Sequence, residues 1–326
     1  MSKALRLLAA GGAFVGAAAV NVAYRKAMKL ATDRVETGRQ FIDSPEGRIE
    51  FAEAGDGPAV LVSHGAGGGF DQGLWLGATF LTEKYRVVAP SRFGYLGTQL
   101  PVDASPEAQA DAYVSVLDAL QLDTVPVVGV SAGAPAAMQM ALRYPERCSA
   151  LALIVPMAFA PERVIVNSEG GLFGVFLNFI AQSDFFFWSA TKVAHGALLK
   201  TILGTPIDVY EKATPAQRRQ VNAVLHSIFP ISRRTAGIMN DAVISSTLTR
   251  YALEDIHTPT LVISVADDLY GTYEPARYTA QHIPGAKFIG FADGGHLLVG
   301  DETEVRSEIE LFLSGVVSAK EEPVTV

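Results

Sequence analysis

Ser131 stands between two glycines in Gly129-Val130-Ser131-Ala132-Gly133. The apolar run Val125-Pro126-Val127-Val128 leads into it and a helix-like run, Ala134 to Leu142, leads out. A chain that passes from strand to helix in so few residues crowds its own backbone two positions to either side, so only glycine-sized residues fit at 129 and 133. The same corner lifts the hydroxyl clear of the sheet and sets the next amide, that of Ala132, at a helix amino terminus, where N–H groups favour an anion. A turn that merely needs small residues would also use this pattern. The strand before it and the helix after it favour a nucleophile.

A serine hydroxyl is a weak nucleophile near neutral pH and needs a base within hydrogen-bonding reach. Of the histidines, His195, His226, His257 and His282 sit in contexts expected of surface or packing residues. His296, in Asp293-Gly294-Gly295-His296-Leu297-Leu298, follows the last predicted strand, where glycines let a side chain swing over the sheet ends. It is the candidate base. An imidazole in that role needs a carboxylate to hold its tautomer, and Asp267 or Asp268 follows the apolar run Leu261 to Val265, also at a carboxyl end. Spacing alone does not choose between them. A tetrahedral intermediate also needs amide donors, each about 3–4 kcal/mol when lost. The side-chain-poor stretch Ser63-His64-Gly65-Ala66-Gly67-Gly68-Gly69 offers them, with Ala66 and Ala132 as candidate donors. The stretch is not read as a phosphate cradle, because no Gly-Lys-Ser/Thr follows and the glycines miss the Gly-x-Gly-x-x-Gly spacing.

These residues need a frame that brings distant segments to one edge. Arg39 to Asp43 and Arg48 to Glu53 flank Ser44-Pro45-Glu46-Gly47 as a hairpin does. Ala59 to Ser63, Arg86 to Ala89, Val125 to Val128, Ala150 to Val155, Thr260 to Val265 and Lys287 to Phe291 read as short strands, most of them continuous apolar runs buried on both faces. Between them, Pro106 to Leu120 has helical spacing, with Ser105 as cap and proline in the first turn. Glu304 to Leu313 is predicted as the last helix. The alternation implies an α/β fold, a mostly parallel central sheet flanked by helices. The strand pattern stops between Pro161 and Asp255, which reads as a helical insertion. The chain therefore divides into an N-terminal apolar segment (1–34), the first part of the sheet domain (35–160), the insertion (161–255), the second part (256–317) and a loose tail (318–326).

With 326 residues, 49% hydrophobic and 18% charged, the chain has ample material for a core. Its 26 basic and 34 acidic residues give a net charge of −8, and no sustained basic block is present, so nucleic acid is not an expected partner. The single cysteine, Cys148, excludes an internal disulfide and any Cys-rich metal site, and its context is that of a buried thiol. Residues 5–24, basic at their start and otherwise rich in Ala, Gly, Val and Leu, are expected to associate with a membrane. A cleaved export signal is the second reading, disfavoured by Arg25, Lys26 and Lys29 just beyond. A helix packed on a cytoplasmic domain is the third.

On these segments the chain resembles the α/β-hydrolase fold superfamily over about residues 38–315, in which the order is serine, acid, histidine. The resemblance implies a hydrolase with Ser131 as nucleophile, His296 as base and oxyanion amides at Ala66 and Ala132. The superfamily's Gly-x-x-Asp pattern falls on Val265-Ala266-Asp267-Asp268 and favours Asp268 as the acid, although Val265 replaces the usual glycine. Members that place the acid one strand earlier would use Glu162. Ala89 to Tyr95 resembles the loop after the next strand, usually written with an Asp near the Ser91 position. Serine rather than aspartate at the elbow sets the chain apart from haloalkane dehalogenases and epoxide hydrolases. It points to esterases, lipases, thioesterases, carbon–carbon bond hydrolases and perhydrolases. The insertion then corresponds to a helical cap, whose Phe185-Phe186-Phe187-Trp188 would line an acyl pocket or pack the cap. The function expected is cleavage of small esters with an apolar part, without metal or organic cofactor. A non-catalytic ligand-binding protein and acyl transfer to an acceptor other than water are the alternatives.

Overall fold

The structure is a computed structural model and describes residues 3–161 and 183–321. A long first helix, α1 (Lys3–Glu36), leads into the hairpin β1 (Gln40–Ser44) and β2 (Gly47–Ala54). Then come β3 (Ala59–Ser63), α2 (Phe70–Phe80), β4 (Arg86–Pro90), α3 (Pro106–Ala119), β5 (Val125–Val130), α4 (Ala134–Arg143) and β6 (Cys148–Ile154). Helices α5 (Asp184–Val193), α6 (His195–Thr201), α7 (Ile207–Lys212), α8 (Pro215–Ser227) and α9 (Thr235–Thr247) occupy the described part of the expected insertion. The sheet resumes with β7 (Thr260–Val265), α10 (Tyr273–His282), β8 (Lys287–Phe291) and α11 (Glu302–Glu321).

Among the described residues the strands form one eight-stranded sheet in the order β1-β2-β4-β3-β5-β6-β7-β8. The β1/β2 and β2/β4 pairs are antiparallel, and every pair from β4/β3 to β7/β8 is parallel. Successive side chains of the central strands point to opposite faces. Leu61, Val127, Leu151 and Val262 enter the core with residues of α3, α4 and α10. Val62, Val128, Ala152 and Ile263 enter the other, with residues of α2 and α11. Because both faces are covered, these strands read in the sequence as unbroken apolar runs. Ser105 caps α3 as predicted, accepting from the Ala108 amide at 3.2 Å.

β3 lies between β4 and β5, so the chain crosses to the other side of β3 before β5 begins. The loops that leave β3 and β5 therefore part at neighbouring carboxyl ends and open a crevice, the usual ligand site of an open parallel sheet. The loop 64–69 and the corner at Ser131 are those two loops.

A third apolar cluster, formed by the inserted helices with α1, bears on the readings of the aromatic run and of the N-terminal segment. Phe187 is fully buried there with Leu198, Leu199, Val221 and Leu225, and Ala31 of α1 joins them. The Tyr24 ring meets Phe185 edge-on at 5.3 Å and Trp188 at 5.7 Å. Phe187 and Trp188 thus pack the insertion and α1, Phe185 rests on Tyr24 with the exposed Phe186 beside it, and none of the four lines the described part of the main cavity. The C-terminal half of α1 is correspondingly a packed helix. Its Arg34 donates to Asp71 Oδ2 and to the Ser227 carbonyl, both at 2.9 Å, and to the Phe229 carbonyl. Among the described residues no helix is long and apolar enough to cross a membrane. The side chains of residues 1–17, which make up most of the stretch expected to anchor the chain, lie outside the described residues, as does Glu162. At the other end α11 runs to Glu321, past the predicted Leu313 and into the range expected as a tail.

Arg34 fastens α1 through charge-assisted bonds to Asp71 and to two backbone carbonyls. Arg34→Met is expected to lower the melting temperature by about 2–6 °C in thermal denaturation. Arg34→Lys should recover less than half of that loss, because a single ammonium does not reproduce the planar fork that reaches a carboxylate and two carbonyls.

Candidate active site

Ser131 opens a single 3₁₀ turn, Ser131–Gly133, between β5 and α4. Its φ is 51°, in the left-handed region that a non-glycine residue occupies at a cost of about 1–3 kcal/mol. Close packing enforces it. A Cβ on Gly129 would lie 2.6 Å from the Cβ of Ala137, and one on Gly133 would lie 2.6 Å from the His64 carbonyl oxygen. The Ser131 carbonyl accepts from the Met157 amide at 2.9 Å, which ties the corner to the end of β6.

His296 arrives on the turn after β8, and four contacts hold that turn and its ring. Asp267 accepts from the Gly294 and Gly295 amides at 3.3 and 2.8 Å. The His296 amide donates to the Gly204 carbonyl at 3.3 Å, and the Tyr270 ring meets the imidazole edge-on at 4.8 Å. His296 Nδ1 lies 2.7 Å from Asp268 Oδ2, and Nε2 lies 2.9 Å from Ser131 Oγ. A carboxylate only accepts, so Nδ1 carries the proton and Nε2 is left to accept from the serine hydroxyl.

The two adjacent aspartates therefore separate by geometry. Asp267 supports the backbone of the histidine turn, whereas Asp268 meets the ring. Burial raises the Asp268 carboxyl, but the His296 charge and hydrogen bonds from His296, Thr272 and the Tyr270 amide outweigh it, so the group stays below its ordinary range. Of the other histidines, His195 bonds Asn222, His226 and His282 bond backbone carbonyls, and His257 is exposed. None of them lines the cavity at Ser131.

The loop 64–69 is held from behind. His64 Nδ1 donates to the Gly65 carbonyl at 2.8 Å, while Nε2 accepts from the Arg92 amide at 2.9 Å. Burial, then the nearby Arg92 charge, keep this imidazole neutral, well below its ordinary pKa. Arg92 Nε donates to the His64 carbonyl at 2.8 Å and its two terminal nitrogens grip Asp241 at 2.6 and 2.7 Å. Tyr95 donates to Asp241 at 2.5 Å and accepts from the Gly67 amide at 3.2 Å. Arg234, fully buried, donates to the Gly68 carbonyl and to Asp71. Burial pushes the Asp71 carboxyl up, but Arg234 and Arg34 together bring it below the ordinary range. Ala66 lies between these anchored residues, and both Ala66 and Ala132 line the same cavity as Ser131 and His296.

That cavity has a volume of about 600 Å³. Trp75, Leu76, Phe80, Ile154, Ile228 and Ile238 give it a largely apolar wall, and Gln72 and Asp241 also face it. Among the described residues no cluster of three or more His, Cys, Asp or Glu side chains converges on a metal-sized site. Sequence patterns did not single out Gln72, Arg92, Tyr95, Arg234 or Asp241. The Ser91 position, where an Asp is usual, hydrogen-bonds the buried Glu50 of β2 at 2.9 Å, so the carboxylate there comes from another strand.

The chain matches the family described as alpha/beta hydrolase fold over residues 58–303. It is 36% identical over 121 residues to an uncharacterized hydrolase, YcgS, of Bacillus subtilis, covering 37% of this chain and 40% of the relative. It is 33% identical over 131 residues to 2-hydroxymuconate semialdehyde hydrolase of Pseudomonas sp. strain CF600, covering 39% of this chain and 46% of that protein. The chain thus spans less than half the length of these two curated relatives. Among solved structures, the alpha/beta hydrolase fold protein from Nakamurella multipartita superposes with a TM-score of 0.64 at 28% identity, covering 84% of this chain and 98% of that one.

Asp301, where α11 begins beside the histidine turn, is pushed up to about 6 by partial burial and by Asp293, Glu304, Glu302 and Asp267. An unfolded aspartate titrates near 3.9, so the folded state holds this proton more tightly. The contribution to stability therefore falls as the pH rises from about 4 to about 6, and is constant above. Asp301→Asn should match the parent protein below about pH 4 and melt about 1–3 °C higher above about pH 6. Thermal melts across that range check the sign.

Proposed function

The chain belongs to the alpha/beta hydrolase fold family, and from that premise we propose that it is a serine hydrolase cleaving carboxylic esters with an apolar acyl or alcohol part. The observation that carries the reading is the hydrogen-bonded chain from Ser131 Oγ through His296 to Asp268, with spacings of 2.9 and 2.7 Å, whose first two members line a largely apolar cavity. Ser131 attacks the ester carbonyl as His296 Nε2 takes its proton, and Asp268 stabilises the imidazolium that results. The amides of Ala66 and Ala132 hold the oxyanion. His296 returns the proton to the departing alcohol, leaving an acyl-enzyme on Ser131. Water, activated by the same imidazole, then releases the acid and restores the serine. No step in this sequence calls on a metal or an organic cofactor.

The left-handed φ of Ser131 supports this role, since strain at a non-glycine residue concentrates at sites where a side chain must be presented. A ligand-binding protein without catalysis gains nothing from a strained serine aligned with a histidine and a buried carboxylate. Carbon–carbon bond hydrolysis is the second reading, favoured by the similarity to 2-hydroxymuconate semialdehyde hydrolase.

A fluorophosphonate probe is expected to label the protein, and Ser131→Ala to abolish both labelling and turnover of p-nitrophenyl esters. Absence of labelling in the parent protein would remove the serine-hydrolase reading. Asp268→Asn should lower kcat by about 10³–10⁴. Asp267→Asn, which disturbs only the support of the turn, should cost about tenfold or less. Steady-state kinetics of the pair decide which carboxylate serves the histidine, and equal losses would sink the assignment.

A further inference from the structure

Gln72 belongs to none of the hydrogen-bonded chains around the site. It occupies the third position of α2, where a glutamine commonly turns back to the start of its helix. Gln217 does so at the same position of α8, accepting from the Thr214 amide at 2.8 Å. Gln72 makes no such bond and is instead one of the residues that line the cavity. It is 6% exposed, and its Oε1 has no hydrogen-bond partner in the protein.

The loop is shaped to admit this carboxamide. A Cβ on Gly68 would collide with Gln72 Oε1 and equally with the buried His64 ring beside it. A Cβ on Gly65 would lie 3.6 Å from that oxygen and 3.3 Å from the Ser131 Cβ, so the carboxamide and the serine flank one glycine. From there α2 presents a single stripe to the cavity: Gln72, Trp75, Leu76 and Phe80. At 1.5 Å per residue the stripe is about 12 Å long. Its one polar member stands at the end beside Ser131.

A buried carboxamide oxygen without a partner is penalised, and a leucine of similar size would avoid the penalty. We propose that Gln72 is a substrate-contacting residue that grips a hydrogen-bonding substituent, a hydroxyl, oxo or amide group, within two or three bonds of the scissile carbonyl, while an apolar chain runs along Trp75, Leu76 and Phe80. The inference rests on the ester-hydrolase reading. It narrows the substrate class to esters whose acyl or alcohol part is polar next to the ester and apolar beyond it.

The test compares kcat/KM within two pairs of esters, ethyl octanoate with ethyl 3-hydroxyoctanoate and octyl acetate with 2-hydroxyoctyl acetate. The parent protein is expected to favour one hydroxylated ester over its plain counterpart by about tenfold. Whichever ester is preferred assigns the α2 wall to the acyl or the alcohol side. Gln72→Leu is expected to bring that ratio to within about twofold of unity. The ratio is read within each variant, so a general loss of activity cancels. Gln72→Met reads the same quantity if the leucine variant does not fold. A parent protein indifferent to both hydroxyl groups, or a preference that survives in Gln72→Leu, overturns the proposal. Failure to hydrolyse any of the four esters removes the ester-hydrolase reading itself, and the role of Gln72 with it.

Discussion

A serine held in left-handed backbone conformation, against a loop of nearly bare amides, is the constraint on which the rest of the structure depends. That conformation is unfavourable in isolation. It persists because the corner is wedged between two parallel strands, with Gly133 under the carbonyls of Ser63 and His64 and Gly129 under α4. Ser63 closes the joint by donating to the Gly133 carbonyl at 3.0 Å and sharing a 2.6 Å hydrogen bond with the buried Tyr113. A methyl group at either glycine would push the two loops apart.

The next layer is electrostatic. Arg92 and Asp241, each nearly buried, form a two-pronged pair behind the loop, and Arg234 with Asp71 forms another. Buried charges are tolerated when each is paired and its remaining hydrogen-bonding capacity is used. Arg92 meets that condition by spending its third nitrogen on the His64 carbonyl. These pairs join remote parts of the chain. Arg234 and Asp241 come from the inserted helices, Asp71 from α2, and Arg34 reaches Asp71 from α1. The insertion therefore does more than line the cavity. Its charged residues hold the backbone on which the Ala66 amide sits, and α1 is wired into the same cluster.

The third layer is the cavity wall. Most of it is apolar, contributed by α2, the end of β6 and the inserted helices. Such a wall gains affinity from area and discriminates poorly between similar chains. Discrimination falls to the few polar groups that face inward, and Asp241 among them already has its oxygens engaged by Arg92 and Tyr95.

Local patterns in the chain determined the sheet-and-helix alternation, because strands covered on both faces must be apolar throughout. They also marked the corner at Ser131, because only glycine fits beside so sharp a turn, and placed His296 after the last strand and Ala66 in the loop after β3. The resemblance favoured Asp268 over Asp267, but the residues' own chemistry and spacing did not separate them. Adjacent residues with the same chemistry differ only in the direction they point, and that direction is set by the turn that β7 makes against the histidine loop. The same holds for the aromatic run 185–188, none of whose members lines the described part of the cavity, and for Arg92, Arg234 and Asp241. Their roles come from partners up to 166 residues away in the chain. A motif records what a backbone needs from its neighbours in sequence, whereas the partner of a buried charge is chosen by the packing of whole elements, so only the tertiary structure decided those pairings.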